Sequence, residues 1–133
     1  MHQKSLRIAE KLGHLAGMAA NYGNLGLICQ ARGELDRAEE MHRKSLEIEE
    51  KLGRLEGVAS DCANLGLIYQ KRGELARAED MLRQSLAIEG NLGRLEGIAR
   101  QYANLGLICE DRGEPDEARR LCTLSRDLYQ KIG

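Results

Sequence analysis

The pentapeptide Asn-Leu-Gly-Leu-Ile occupies residues 24–28, 64–68 and 104–108, so each copy follows the previous one by 40 residues. A fixed period of this length is typical of small supersecondary units that stack on one another, because none of them buries its apolar face alone. The repeat extends beyond the motif, since residues 14–53 and 54–93 are identical at 24 of 40 positions. The sequence therefore predicts a repeat array whose function is a property of its surface.

Glycines between an arginine and a glutamate mark the ends of helices in every repeat. Gly33, Gly73 and Gly113 occupy this position, and glycine is favoured where a helix ends in the left-handed conformation. Pro115 follows the last of them, at a place where the first turn of a helix tolerates proline. We expect a first helix in each repeat, helix A, near residues 16–32, 56–72 and 96–112. The second, helix B, is expected near residues 35–52, 75–92 and 115–132.

The start of the chain is in the register of a helix B, because Met1 corresponds to Met41 and Met81. We therefore expect an all-α fold that consists of one orphan helix B and three complete repeats. The predicted boundaries are 1–13 for the partial repeat and 14–53, 54–93 and 94–133 for the complete ones. Nothing in the composition suggests a second domain, so residues 1–133 are predicted to form a single array.

Composition and charge argue against several classes of partner. Of the 133 residues, 31% are charged, yet the net charge is only −1 and no basic stripe is present, which argues against nucleic acid as a partner. No apolar run approaches the roughly 18 residues of a membrane-spanning helix, so no membrane association is expected. The first residues lack the apolar segment of a secretion signal. We expect a cytoplasmic protein.

Neither the cysteines and histidines nor any catalytic motif predicts chemistry. Cys29, Cys62, Cys109 and Cys122 stand where sister repeats carry Tyr or Leu, so they are interpreted as small buried apolar residues without disulfides. The histidines lack the spacing of zinc ligands, and His42 shares its register with His2. No nucleophile elbow, phosphate loop or dinucleotide fingerprint occurs. We predict no metal, no cofactor and no enzymatic activity.

Helical periodicity separates two faces of the first helix A and two of the helix B that follows it. Met18, Tyr22, Leu25 and Cys29 form one apolar stripe, which we expect to pack inward, while Asn24 and Leu27 lie on the opposite face. On helix B, the predicted inward stripe consists of Ala38, Met41, Ser45, Ile48 and Leu52. Its outer face carries three acid–base pairs at a spacing of four residues: Glu39 with Arg43, Glu40 with Lys44, and Glu47 with Lys51.

The order Tyr22, Leu25-Gly26, Cys29, Gly33, Ala38 and Ser45, with its two later copies, resembles the tetratricopeptide repeat. The 40-residue period and the long helix B are more similar to the Pins/LGN and kinesin-light-chain type than to the commoner 34-residue form. The resemblance implies a right-handed solenoid of antiparallel helix pairs. It also implies that the A helices line a concave groove, in which an extended peptide or protein segment binds.

The residues that correspond to this groove are Asn24, Leu27, Gln30, Ser60, Asn64, Leu67, Lys71, Arg100, Asn104 and Leu107. An asparagine amide donates to and accepts from a peptide backbone, and the leucines supply apolar contact. The varying charges along the groove predict a partner of mixed apolar and polar character. Family members that clamp a C-terminal carboxylate have a basic residue just before the groove asparagine, whereas Gly23, Ala63 and Ala103 stand there, so such a clamp is not expected.

Two alternatives remain open at the level of sequence. Leu27 and its copies could instead pack between A helices, with Asn24 facing water or bonding to its own helix. The second alternative concerns function: helices at the two ends carry apolar residues without polar caps, which favours self-association by head-to-tail stacking or helix exchange. Equally, these residues are explained if the 133 residues are part of a longer array.

Overall fold

The structure of the protein is a computed structural model that describes residues 2–133, with side chains from residue 4 onward. The described residues form six α-helices: α1 (His2–Ala31), α2 (Leu35–Leu52), α3 (Leu55–Lys71), α4 (Leu75–Leu92), α5 (Leu95–Asp111) and α6 (Pro115–Ile132). The A helices α3 and α5 and the B helices α2, α4 and α6 confirm the predicted helices to within a residue or so at each end. Met1 and the side chain of His2 lie outside the described residues.

The turns from helix A to helix B have the predicted glycine geometry. Gly33, Gly73 and Gly113 adopt φ angles of 76°, 80° and 77°, in the left-handed region that disfavours residues with a Cβ. In the first of these turns the Glu34 N–H donates to the Cys29 carbonyl at 2.9 Å, which satisfies a carbonyl that the helix end leaves without a partner. Pro115 occupies the start of α6, as expected.

The corners from helix B to the next helix A depend on a buried glutamate. Glu49 on α2 is buried, and its carboxyl group fills the space that a Cβ at Gly57 on α3 would need. Arg54, in the turn between them, approaches the same carboxyl group, with Nε 3.5 Å from Oε2. The α4–α5 corner repeats the arrangement with Glu89, Arg94 and Gly97. Gly53 and Gly93 end the preceding helices at φ 68°.

The predicted orphan helix is not separate, because α1 runs without a break from His2 to Ala31 and Gly13 lies inside it. The register explains this difference from the prediction. Ala9 stands where the other corners have the buried glutamate, and His14 stands where they have the arginine. Gly17 corresponds to Gly57, yet nothing occupies the space beside it. Without the carboxyl group and its arginine, a continuous helix satisfies more backbone hydrogen bonds than a turn would.

The chain divides by contacts into two compact units, unit 1 (Met1–Asp61) and unit 2 (Cys62–Gly133), with the division inside α3. Unit 1 contains the α1–α2 pair, and unit 2 contains the packed helices α4, α5 and α6. In unit 2 the core includes Leu65, Ile68, Leu82, Leu105 and Ile108, all buried. The boundaries of the individual repeats remain a prediction.

A small residue on helix A lets helix B approach closely in each pair. A Cβ at Gly26 would lie 2.6 Å from the ring of His42, and one at Gly66 would lie 2.8 Å from Cγ of Leu82. A Cβ at Gly106 would lie 2.8 Å from the sulfur of Cys122. The glycine of the repeated pentapeptide is therefore a packing position, and each copy meets a different side chain.

Candidate functional site

In unit 2 the two leucines of the repeated pentapeptide on α5 point in different directions, one inward and one outward, as the sequence predicts. On α5, Leu105 is buried whereas Leu107, two residues later, is 45% exposed. On α1 the prediction is wrong for one residue, since Leu25 is 47% exposed although the sequence places it on the inward stripe. Within that stripe, Cys29 is buried and Met18 and Tyr22 are half-buried. The inward face of α1 is thus only partly covered.

The predicted groove residues of unit 1 differ in their surroundings. Asn24, Leu27 and Ser60 are exposed. Gln30 is half-buried, and its Oε1 lies 2.6 Å from Nε2 of His42, a distance that makes this amide oxygen the acceptor of a hydrogen bond. Gln30 therefore uses its amide oxygen to hold a helix-B side chain.

In unit 2, two A helices present predicted groove residues. Lys71 and Arg100 are exposed, and Asn64, Leu67 and Asn104 are half-buried. The side-chain N–H of Asn104 donates to Oε1 of Gln101 at 3.1 Å, which orients its amide along α5. The guanidinium of Arg100 lies 3.3 Å from the Glu96 carboxylate, one turn earlier on the same helix.

A hydrogen bond between α3 and α5 brings these two A helices side by side. The amide of Gln70 donates to the Asp111 carboxylate at 3.2 Å. Gln70 directly precedes the predicted groove residue Lys71. Asp111 occupies the register of Lys71 in the following repeat. Leu67 and Leu107 therefore lie on neighbouring A helices within unit 2.

A buried polar network in unit 1 was not predicted from the sequence. Asp61 accepts a hydrogen bond from the Ser45 hydroxyl at 2.6 Å, and its other carboxylate oxygen lies 3.8 Å from Nδ1 of His42. Asp61 and His42 are both buried, and His42 also contacts Gln30. The signal was present, because Asp61 falls on the inward side of helix A, where an acid is expensive unless it has partners.

The corner glutamate was also missed, because no local sequence pattern distinguishes the buried Glu49 from its exposed neighbour Glu50. Burial raises the pKa of Glu49, nearby Asp61 and Glu56 raise it further, and only Arg54 acts in the opposite direction. The shift identifies a carboxyl group that the fold holds at an electrostatic cost. Its position over Gly57 gives it a structural role in the corner and no access to a ligand.

The four cysteines form no disulfide bond and differ in exposure. Cys29 and Cys62 are buried, as predicted, and Cys109 is half-buried. Burial raises the pKa of Cys109, and the acidic groups of Glu114 and Glu117 raise it further, which makes its thiol a poor nucleophile. Cys122 is exposed, which corrects the prediction that all four are buried. Its sulfur lies beside Gly106 on α5, and the part of the thiol that α5 does not cover is open to solvent.

The outer acid–base pairs on α2 confirm the sequence prediction. Glu39 and Arg43 approach to 3.1 Å, Glu40 and Lys44 to 3.3 Å, and Glu47 and Lys51 to 3.5 Å, between nitrogen and carboxylate oxygen. Exposed pairs of this kind contribute about 0.3–0.5 kcal/mol each. They keep this face solvated.

Among the described residues, no set of three His, Cys, Asp or Glu side chains is arranged to hold a metal ion. No described helix combines the length and apolar character needed to cross a bilayer.

Solved structures share this fold. The chain matches BtubC (BKLC) from P. vanneervenii with a TM-score of 0.80 and 24% identity, over 98% of this chain and 54% of that one. It matches the TPR domain of Arabidopsis FLU with a TM-score of 0.82 and 16% identity, over 88% and 98% of the two chains. A putative kinesin light chain from Podospora anserina matches with a TM-score of 0.68 and 24% identity, over 86% and 56%. The chain thus spans about half the length of the first and third of these proteins.

At these identities the structural matches show the fold alone, and no curated protein sequence matches the chain. The family is shown by sequence instead. The tetratricopeptide repeat model matches residues 1–51, 17–91 and 58–131, which together span nearly all of the chain. The chain belongs to the tetratricopeptide repeat family, whose repeats generally mediate protein–protein interaction.

Proposed function

We propose that the protein binds an extended peptide or protein segment along its A helices. The observation that carries this proposal is Leu107, which is exposed one turn before the end of α5 on the face that also carries Asn104. A helix interior has no structural need for an exposed leucine, and apolar anchors beside amide groups suit a bound backbone. The exposed pair of Asn24 and Leu27 in unit 1 has the same composition.

The α3–α5 hydrogen bond supports the idea of a continuous surface within unit 2. Because Gln70 and Asp111 join the two helices, we infer that Asn64 and Leu67 share a surface region with Asn104 and Leu107. A peptide that crosses both helices would meet a leucine and an asparagine on each. This repeated pair gives affinity through apolar contact and orientation through the amides.

The charges near this surface favour a partner of mixed character. Lys71 and Arg100 are exposed cations, whereas Glu110 and Asp111 supply negative charge on α5. Ala63 and Ala103 stand beside the asparagines where a carboxylate clamp would need a basic side chain. We therefore infer an internal segment, with apolar side chains and both signs of charge, as the partner in place of a C-terminal carboxylate.

Fluorescence titration with a peptide library tests the proposal. The double variant Asn64→Ala, Leu67→Ala and the single variant Leu107→Gln are each expected to weaken the best binders by about tenfold or more, since each removes apolar contact area. Leu95→Gln is the matched control, because Leu95 and Leu107 are both 45% exposed on α5 and lie on different faces. Equal binding by all of these variants would exclude the A-helix surface.

Self-association is the second candidate function. It is favoured by Leu25 and Ile28 on α1 and by Tyr129 and Ile132 on α6, four large apolar side chains that are all exposed. Exposed apolar side chains of this size favour association with another surface. Sedimentation over a concentration series tests it, and a monomer at about 1 mM would exclude it as a function.

A further inference from the structure

One face of α5 shows how a helix B covers a helix A. Gly97, Gln101, Leu105 and Ile108 lie along this face and are all buried. Helix α4 packs against α5, and the Glu89 side chain covers Gly97, with Cγ 2.9 Å from where a Cβ would stand. The contact places position 89 directly over position 97 in this antiparallel pair.

Helix α1 carries the same face 80 residues earlier, and no described helix covers it. Its residues are Gly17, Asn21, Leu25 and Ile28, three of them identical to their counterparts on α5. All four are exposed: Leu25 and Ile28 are 47% and 49% exposed, against 2% and 1% for Leu105 and Ile108. Because the sequence of this face matches one that a helix B covers, the side chains suit a helix B.

Helix α6 offers a helix-B face that is uncovered. Three positions that are buried or half-buried on α4 are exposed on α6: Leu82 becomes Cys122, Glu89 becomes Tyr129, and Leu92 becomes Ile132. Two of these replacements are large apolar side chains at positions that would meet the next helix A. At the corner position an acid gives way to a phenol ring, which needs no arginine to neutralise it.

We propose that α6 of one copy of this chain docks on the Gly17–Ile28 face of α1 in a second copy, with the geometry of the α4–α5 contact. Tyr129 then occupies the space over Gly17, where nothing lies within 4 Å of an added Cβ. Ile132 lies near His14, in the register that Glu89 and Gly97 define. The straight course of α1 leaves this face open.

The two surfaces differ, so each copy offers one of each and the contact is heterologous. Copies therefore add head to tail without closing on themselves. The contact involves one helix on each side, which falls at the small end of protein interfaces and predicts weak association, apparent only at high concentration. This inference rests on self-association as the second candidate function and gives it a specific geometry.

Cross-linking between two different single variants tests the geometry. Gly17→Cys is made in one preparation and Tyr129→Cys in another, both with Cys122→Ser, and the two are mixed and oxidised. Since the proposed contact joins only unlike positions, mass spectrometry should find mixed covalent dimers in at least about tenfold excess over like dimers, as a disulfide needs Cβ atoms about 3.8 Å apart. Mixed and like dimers in a random 2:1:1 ratio would overturn the proposal. Ala20→Cys, exposed on a different face of α1, replaces Gly17→Cys in the control.

Substitutions at two nearby leucines distinguish self-association through α1 from peptide binding in the groove. Leu25 and Leu27 are 47% and 50% exposed on different faces of α1, so neither substitution is expected to unfold the helix. Leu25→Gln should abolish association measured by sedimentation and leave peptide binding unchanged, whereas Leu27→Gln should leave association unchanged. Association that survives Leu25→Gln overturns the docking proposal without affecting the groove. Lost peptide binding in Leu27→Gln with intact association supports both.

Discussion

The two units fill the same place between helix A and helix B with different chemistry. In unit 1 the glycine of the motif meets the ring of His42, and Asp61 holds Ser45 by a hydrogen bond in the buried interior. In unit 2 the glycine at 66 meets Leu82, and the position of Asp61 carries Gln101. The fold thus accepts either an apolar contact or a polar network at one register. The polar version depends on every partner being present.

The largest effect is expected from Asp61→Ala. The variant removes the acceptor of the buried Ser45 hydroxyl and the group opposite His42, which leaves polar atoms without partners inside unit 1. We expect a loss of about 2–3 kcal/mol in the free energy of unfolding, the usual cost of such orphaned groups. Urea unfolding measures it.

Gln101→Ala is the control, since Gln101 has the same register in unit 2 and accepts from Asn104. Asn104 is half-buried and reaches water when this bond is lost, so the cost should be about 1 kcal/mol or less. An equal or larger loss for Gln101→Ala would contradict the idea that unit 1 depends more strongly on its polar core.

A smaller effect is expected from Gly26→Ala. The new Cβ would lie 2.6 Å from the His42 ring, which is fully buried and held by Gln30, so neither side chain moves freely. Overpacking of this kind costs about 1–3 kcal/mol, offset by about 1 kcal/mol of better helix propensity. We expect a net loss of about 1–2 kcal/mol by thermal or urea unfolding.

Gly106→Ala makes the same substitution beside a side chain that has room to move. Its Cβ would meet the sulfur of Cys122, which is exposed and can rotate away. Helix propensity should then balance the strain, with little change in stability. If Gly106→Ala proved the more harmful of the two, the stiffness of His42 would not be the reason for the difference.

The comparison also shows what the sequence could predict. Helix ends, glycine turns and the outward direction of Leu107 follow from local patterns that every repeat carries in itself. The exposure of Leu25 could not be predicted from periodicity, because burial depends on a neighbouring helix and not on the face alone. Likewise, the continuous α1 depends on Ala9 and His14, whose meaning appears only when the corner contact of Glu49 is known. Residues that act in pairs across helices were the ones missed.

Restoring the corner to α1 tests this explanation. The double variant Ala9→Glu, His14→Arg supplies the two groups that the α2–α3 corner uses, with Gly17 already in place. A partly buried ion pair contributes about 1 kcal/mol or less, enough to populate a hairpin that turns at Gly13. Spin labels at residues 4 and 20 should be about 24 Å apart along a straight helix and about 10 Å apart in a hairpin. A single long distance in both proteins would contradict the corner mechanism.

The smallest effect concerns the pH dependence of Glu49. Burial, together with Asp61 and Glu56, raises its pKa in the folded protein above the ordinary value of 4.5, despite Arg54. The folded state then holds a proton that the unfolded chain has already released. This contribution to stability is complete below pH 4.5 and is lost as the pH rises through the folded pKa. Glu49→Gln keeps the shape of the side chain without the charge. The variant should therefore gain stability relative to wild type between pH 4 and pH 7. Urea midpoints at the two pH values measure the gain, and Glu50→Gln, at the exposed neighbouring position, controls for loss of one negative charge. An identical pH response of the two variants would show that the buried corner adds nothing to the titration of an ordinary surface acid.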